Sequence, residues 1–560
     1  MSPRSLQWLK LVLVLLSVPV WTSMLVALTA GGGGMAPAFA SGVPLTSDGE
    51  EAGEVPVVER NEEEVPGTSF SHLLSRSPGL KLPLTHASDY ERRRAEPEVA
   101  LQQHINLARR RLAEVRGDAL PSSEELEAAV LKRRSDADNE GSHSAQSMMG
   151  DAASLLSDTF GRAKNATNSF GSMTVMRRTP WATSSVGSGN ETELMERDGG
   201  GVQAIKNAAQ QHTNTPAQNP TAEHSSGLSI EANDVGYYFT IHVGSKNTAF
   251  KMLVDSGSAD TWITGQNCNG CSGNKLSSSS SGSLKTQQGN YKISYGTGSV
   301  SATKATDTLT IAGLKLKNYE FGLASQVSSQ FSGNNIPFDG LMGLGGSSLS
   351  ILKVDTPIDA LYNQKAVNQP IVGYHLGRTA DGSGNNHGSV TFGAVDDSVI
   401  DGNLMELDTA SKNGYWEVSL DDVKIDGKSV IGGSKRRRGN NLHMATFDTG
   451  TSLIIAPKAQ AEAIHKSIPG ASSDGQGGYQ IPCNTQKTLS FTFNGQTFNV
   501  NSQDLIFGPG KSGDNCISAV SSGNAQGDSA WLLGAAFLKN VYFATNSKTN
   551  QVGLGKLKNN

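Results

Sequence analysis

The sequence predicts an all-β fold of two lobes over its second half, with few short helices, preceded by an export signal and a long, largely disordered leader. Three observations carry that expectation. Short apolar and β-branched runs punctuated by Ser, Thr, Gly and Asn fill the chain from about residue 226 onward, the texture of many short strands. A motif then occurs twice, as Val254-Asp255-Ser256-Gly257-Ser258 and as Phe447-Asp448-Thr449-Gly450-Thr451-Ser452. Each copy is followed at nearly the same distance by an apolar run ending in Gly: 88 residues separate Asp255 from Gly343, and 86 separate Asp448 from Gly534. One Asp-Thr-Gly alone would read as an ordinary turn; the repeated order and spacing indicate a duplicated lobe.

With 560 residues the chain is too long for one ordinary domain, and its composition divides it into 1–40, 41–225, 226–400 and 401–560. The net charge of −5 argues against nucleic acid or an anionic membrane surface as an electrostatically chosen partner.

Residues 1–40 carry Arg4 and Lys10, an apolar run from Leu11 to about Ala30, and a small-residue site at Ala38-Phe39-Ala40. This is the pattern of a cleaved export signal. The run approaches bilayer-spanning length, so an uncleaved signal anchor stays open, and only in that case does the chain meet a membrane. Residues 41–225 are rich in Glu, Ser, Arg and Asn and poor in aromatics, too little apolar surface to offset the entropy of ordering them. Within them, His104 to Ala113 places Ile105, Ala108 and Leu112 at helical spacing beneath the basic Arg109, Arg110 and Arg111. That segment reads either as a solvated helix or as a basic element lying over a carboxylate-lined cleft. The leader also holds two N-glycosylation sequons, at Asn165 and Asn190, and the basic clusters Lys132-Arg133-Arg134 and Arg177-Arg178, which resemble convertase processing sites.

In the second half, Gly236 to Val243 and Phe250 to Val254 read as strands, the latter running straight into Asp255, and Thr261-Trp262-Ile263 follows. Tyr291 to Val300 alternates on either side of a Gly-rich tip at Tyr295-Gly296-Thr297-Gly298, the signature of a projecting hairpin. Helical signals are confined to Pro357–Gln364, Pro457–Ile468 and a short piece after Gly534. All four cysteines, Cys268, Cys271, Cys483 and Cys516, lie here, and an even count behind an export signal indicates disulfides. Cys268-Asn-Gly-Cys271 could also be a redox or zinc motif, but neither a βαβ context nor further ligands at matching spacing accompanies it. No metal and no cofactor is expected.

Two lobes related by a two-fold axis would bring Asp255 and Asp448 together. Carboxylates about 3 Å apart cannot both ionise cheaply, so the pair shares a proton, one member accepting and the other donating. Such a dyad polarises a water toward a carbonyl while protonating its oxygen, which is peptide hydrolysis without metal or covalent intermediate.

These two motifs, the Tyr295 hairpin, Phe338-Asp339-Gly340-Leu341-Met342-Gly343-Leu344-Gly345 and Trp531-Leu532-Leu533-Gly534 resemble the pepsin-like aspartic peptidases over roughly 233–556, with the flavour of secreted fungal members. The resemblance implies a double β-barrel and makes Asp255 and Asp448 the catalytic pair, Ser258 and Thr451 hydroxyl donors to them, and Gly257 and Gly450 their backbone donors. It makes Tyr295, Gly296 and Thr297 the substrate-covering flap and Trp262 the hydrogen-bond partner of Tyr295. It pairs Cys268 with Cys271 and Cys483 with Cys516, one bridge per lobe. Thr297 stands where some fungal members carry an acidic residue, which favours hydrophobic side chains beside the scissile bond. The basic helix resembles an inhibitory prosegment, so the implied protein is a secreted monomeric zymogen, its partners being protein or peptide substrates and its own propeptide, with vacuolar or membrane-anchored location as the alternative. A catalytically inactive pepsin-fold binding protein is the competing reading; both Asp residues, the motif glycines and the flap tyrosine are intact against it. Departures from the family are Phe447 in place of a smaller aliphatic residue, Ala535 where Asp is frequent, and the run Lys435-Arg436-Arg437-Arg438, either a solvated turn or a cleavage site.

Overall fold

The apolar runs that end in Asp255 and Asp448 become the centres of two similar strand layouts. In the computed structural model, residues 97–136, 214–295, 298–328, 331–332, 336–379, 385–431, 443–510, 514–522 and 529–558 are described, all within one compact unit. The expected export signal, both sequons, Gly296, Thr297, Arg177-Arg178 and Lys435–Arg438 lie outside them. Strand is the dominant secondary structure of the described chain, with a few short helices, as a pepsin-like bilobal β fold requires.

In the first lobe Thr248–Asp255 pairs in parallel with Gly340–Gly343, so that Gly343 lies opposite Asp255, and Gly340–Gly343 pairs on its other side, antiparallel, with Trp262–Asn269. The second lobe repeats this. His443–Phe447 runs parallel to Ala530–Leu533, with Phe447 opposite Leu533, and Ala530–Leu533 pairs antiparallel with Ile454–Ala456. Gly340–Gly343 and Ala530–Leu533 are buried along their whole length, which is why they read as unbroken apolar runs rather than alternating ones. The glycines end them for steric reasons: a Cβ on Gly343 would stand 2.5 Å from the Ala259 carbonyl carbon, and one on Gly534 2.3 Å from the Thr451 oxygen.

A ten-stranded sheet forms the first lobe, and one five-stranded and two four-stranded sheets lie in the second. A further six-stranded sheet draws Ser225–Gly227, Ile371–His375 and Ser389–Phe392 from before residue 400 and Ile400–Asp408, Val541–Asn546 and Gln551–Leu557 from after it, tying the halves together. The helices of the two lobes, Pro357–Asn363, Lys458–Lys466 and Ala535–Leu538, stand where the sequence places them. Cys268 is bonded to Cys271 and Cys483 to Cys516, with Cα separations of 5.5 and 5.0 Å.

The leader is more ordered near its middle than its composition suggests. Helix α1, Pro97–Arg116, extends the expected basic helix by about two turns at its start, and a second helix, α2, spans 123–136. Leu101, Ile105, Ala108 and Leu112 form the buried stripe of α1, each at most 1% exposed. Asn106 on the same face is also buried, receiving a hydrogen bond from Gln102 and donating one to the Leu126 carbonyl that holds α2 against α1. The packing explains why order exceeds expectation: the helices borrow their core from the lobes, so low intrinsic apolarity does not decide. Lys132-Arg133-Arg134 lies within α2, and Arg133 is 2% exposed. No described helix is long and apolar enough to cross a membrane.

Candidate active site

Both motifs place a carboxylate at the end of a buried strand and fold back over it. The Gly257 N–H donates to Asp255 Oδ1 at 2.9 Å, and the Ser258 hydroxyl donates to Oδ2. In the second lobe the Gly450 N–H donates to Asp448 Oδ1 at 2.9 Å and the Thr451 hydroxyl to Oδ2 at 2.8 Å. Each glycine serves the opposite lobe as well. A Cβ on Gly257 would lie 2.6 Å from the Asp448 carboxylate, and one on Gly450 would lie 2.5 Å from Asp255 Oδ1. No larger residue lets the two carboxylates approach this closely.

The second residues of the two motifs brace the lobes against each other. The Ser256 N–H donates to Thr449 Oγ1 at 2.9 Å while the Thr449 N–H donates to Ser256 Oγ at 3.0 Å, and the Thr449 hydroxyl in turn donates to the Val254 carbonyl at 3.0 Å. All these atoms are buried, so the bonds act free of water's competition. Reading the motifs for their carboxylates and glycines passes over Ser256 and Thr449. The available signal is a hydroxyl directly after each Asp.

Arg111 of α1 sits over both carboxylates. Its Nη2 lies 3.2 Å from Asp255 Oδ2, its Nε donates to Asp448 Oδ2 at 3.2 Å, and its Nη1 donates to the Gly257 carbonyl. Of the three arginines in the basic run, only Arg111 reaches the pair. Arg109 bonds Glu125 of α2, and Arg110 Nε lies 3.7 Å from Glu114. Burial pushes the Asp255 carboxyl up to about 6; Arg111 opposes this and Asp448 adds to it. Burial works against the charged Arg111 guanidinium as well, but Asp255 and Asp448 outweigh it and hold the guanidinium well above its ordinary value. Farther along α1, Glu114 accepts a hydrogen bond from the Tyr415 hydroxyl at 3.2 Å, and the His104 ring packs edge-on against Phe507, 5.2 Å between centroids.

The hairpin predicted around Tyr295 is present: Tyr291–Ser294 pairs with Ser299–Ile311, and Tyr295 and Gly298 exchange backbone hydrogen bonds. Trp262 lies close enough to the buried Tyr295 hydroxyl to act on it as a hydrogen-bond donor would, opposing the upward push of burial, although Trp262 Nε1 and Tyr295 Oη do not meet in full hydrogen-bond geometry. Both rings also pack edge-on against Phe331, at 5.7 and 5.4 Å between centroids. Phe331 lies in a loop with no periodic signal, which is why sequence reasoning missed it.

The family profile described as eukaryotic aspartyl protease matches residues 236–557. The chain belongs to that family. Its relatives include the aspartic-type endopeptidase ctsD of Aspergillus fumigatus, 31% identical over 60% of this chain and 69% of the relative. Rhizopuspepsin-1 of Rhizopus niveus is 35% identical over 58% of this chain and 80% of its own, and syncephapepsin of Syncephalastrum racemosum is 32% identical over 58% and 78%. The chain is an aspartic-type endopeptidase, a hydrolase acting on proteins. Phe447 is fully buried and packs on Phe493, Phe537 and Phe543 at 5.4 to 5.9 Å, filling space from the second lobe's own core. Ala535 is buried at the start of Ala535–Leu538, its N–H donating to the Thr451 carbonyl.

Proposed function

We propose that this aspartic endopeptidase is made as an inactive secreted precursor, that Asp255 and Asp448 are its catalytic pair, and that acid releases the inhibitory α1. The observation that carries the reading is Arg111, whose guanidinium occupies the space between the two carboxylates. A substrate carbonyl and an attacking water need that same space.

Once Arg111 leaves, the buried pair retains one proton, because two adjacent carboxylates do not both ionise. The ionised carboxylate takes a proton from a water held between the pair as its oxygen attacks the substrate carbonyl carbon. The protonated one gives its proton to the carbonyl oxygen, forming a neutral diol. Collapse of the diol returns a proton to a carboxylate, while the amide nitrogen leaves protonated by the other. Gly257, Ser258, Gly450 and Thr451 hold the carboxylates in plane for these transfers, and Tyr295, Gly296 and Thr297 cover the substrate.

Arg111 lowers the affinity of Asp255 for its proton, so the pair binds protons more tightly once Arg111 has gone. Proton uptake therefore accompanies release, and by linkage falling pH favours the open state. The ion pair weakens as pH drops through about 6, where Asp255 becomes protonated even beneath Arg111. The paired cysteines and the signal-like N-terminus fit an oxidising, secretory route.

The test is proteolysis of a denatured protein after acidification of the full-length precursor, with sequencing of the new N-terminus. Asp255→Asn and Asp448→Asn each lose activity by about 10²-fold or more. Arg111→Gln gives proteolysis at neutral pH that the wild-type precursor lacks. Full activity in either Asn variant overturns the catalytic assignment; a silent Arg111→Gln overturns the inhibitory one.

A further inference from the structure

The leader grips the protein at a second place, remote from the carboxylate pair. Arg133 of α2 reaches the tip of the second-lobe hairpin formed by Ser472–Ser473 and Tyr479–Pro482. Its Nη1 lies 2.5 Å from Asp474 Oδ2 and 3.2 Å from Glu98 Oε2 of α1, its Nε donates to Gln102 Oε1 at 2.9 Å, and its Nη2 donates to the Gln476 carbonyl at 3.3 Å. The guanidinium is thus wrapped by two leader groups and two groups of the lobe, with a side chain 2% exposed. Beside it, Gln476 Nε2 donates to Asp136 at 3.0 Å.

The receiving loop is shaped for this. Asp474 Oδ1 accepts from the N–H groups of Gln476 and Gly478, which aims the other oxygen at Arg133. At Gly478 a Cβ would stand 2.2 Å from Asp474 Oδ2, 2.8 Å from Leu101 Cδ2 and 3.1 Å from Arg133 Nη1. Glycine at that position therefore lets the Asp474 carboxylate fold back beside both leader helices.

We propose that the Asp474–Gly478 loop is an arginine-binding site on the second lobe, outside the substrate cleft, whose occupant in the precursor is Arg133. The leader is then held at two points. Arg111 is the point released by acid at the carboxylate pair; Arg133 is a latch whose strength comes from a buried, multiply bonded guanidinium, and breaking one partner of such a group is costly. The latch also keeps Lys132-Arg133-Arg134 helical and partly buried. A processing protease that needs an extended basic segment gains this one only after the latch opens. This reading rests on α1 being inhibitory.

The experiment measures the rate of activation of the full-length precursor at mildly acidic pH for Arg133→Ala, Asp474→Asn, the double variant and Arg111→Gln. Each latch variant activates about tenfold to a hundredfold faster than wild type, as loss of a buried ion-pair partner implies. The double variant is no faster than the quicker single one, because both remove the same contact. After full activation, Asp474→Asn cleaves a short peptide with unchanged kcat/KM, since the loop lies outside the catalytic machinery. A trypsin-like protease at neutral pH cuts at 132–134 in Arg133→Lys, where a site remains and the fork is lost, faster than in wild type. Wild-type activation rates in Arg133→Ala and Asp474→Asn, with accelerated activation in Arg111→Gln, overturn the latch alone; no change in any of them overturns the inhibitory reading beneath it. Additive effects in the double variant overturn the pairing of Arg133 with Asp474.

Discussion

The two Asp motifs are alike in hydrogen bonding and unlike in surroundings. Asp255 and Asp448 each take one backbone N–H two residues on and one hydroxyl three residues on, and Ser256 and Thr449 exchange bonds across the axis. Around the first motif stand the hairpin of Tyr295, the Trp262 ring and Phe331. Around the second stand a tight aromatic core under Phe447 and most of the leader's anchors, at Tyr415, Phe507 and Asp474. Among the described residues, the first lobe meets Arg111 through Asp255 and Gly257. The difference teaches a division of labour: equal geometry at the carboxylates is flanked by a hairpin from one lobe and by most of the α1 and α2 contacts from the other.

The comparison breaks most visibly in the cores behind the motifs. Phe447→Ala removes a buried ring from a four-phenylalanine cluster and costs about 3–5 kcal/mol, whereas Val254→Ala at the equivalent place costs about 1.5–3 kcal/mol. Urea unfolding of an inactive Asp255→Asn background measures both; equal losses would erase the asymmetry.

The second lobe also carries an acid liability. His465 is buried, stacked on Tyr479, and bonded at Nδ1 to the Ala461 carbonyl and at Nε2 to the Ser518 hydroxyl. Burial pushes it down to about 4. A histidine with a depressed folded value contributes stability that is present above about 6.5 and is lost as pH falls from there to about 4, by about 3 kcal/mol at most. His465→Gln should therefore flatten the acid slope of Tm over that window, measured by calorimetry at several pH values. An unchanged slope would place the liability elsewhere, with His375, which burial also pushes down to about 4, as the next position to test.

The brace between the lobes sharpens the comparison from its symmetric side. Ser256→Ala and Thr449→Ala each leave a buried N–H without its acceptor, at about 1–3 kcal/mol, and the double variant loses less than the sum. A silent Ser256→Ala would show that the brace is one-sided. The smallest effect concerns the hydroxyl donors. The Ser258 hydroxyl favours the ionised form of Asp255, so Ser258→Ala raises that group further and moves the alkaline limb of the kcat profile, where the pair loses its shared proton, to higher pH, by under about one pH unit. Movement toward lower pH would contradict the bonding seen here.

Much of this was legible in the residues. The repeated Asp-(Ser/Thr)-Gly-(Ser/Thr) motif, the glycine-terminated runs at matching distance and the Gly-rich hairpin sufficed for two β lobes and for the pair Asp255 and Asp448, because each is a local pattern with a steric cause. Helix α2 was missed although its signals are local: Ser122 accepts from the Glu125 N–H at 3.1 Å as an N-cap does, and Glu124 to Arg134 consists largely of good helix formers; the polar composition of the segment around it hid them. The neighbourhood of Trp262 and Tyr295 was expected, but the packing of both rings on Phe331 was not, since ring contacts depend on where loops settle.

By itself, then, the sequence determined which carboxylates and glycines come together, since strand period, turn glycines and repeated motifs are properties of neighbouring residues. Only the tertiary structure decided which of Arg109, Arg110 and Arg111 meets the pair, and that Arg133 closes a second contact 341 residues away along the chain. Helical spacing presents several arginines on one face, and burial against both lobes selects among them by reach and desolvation.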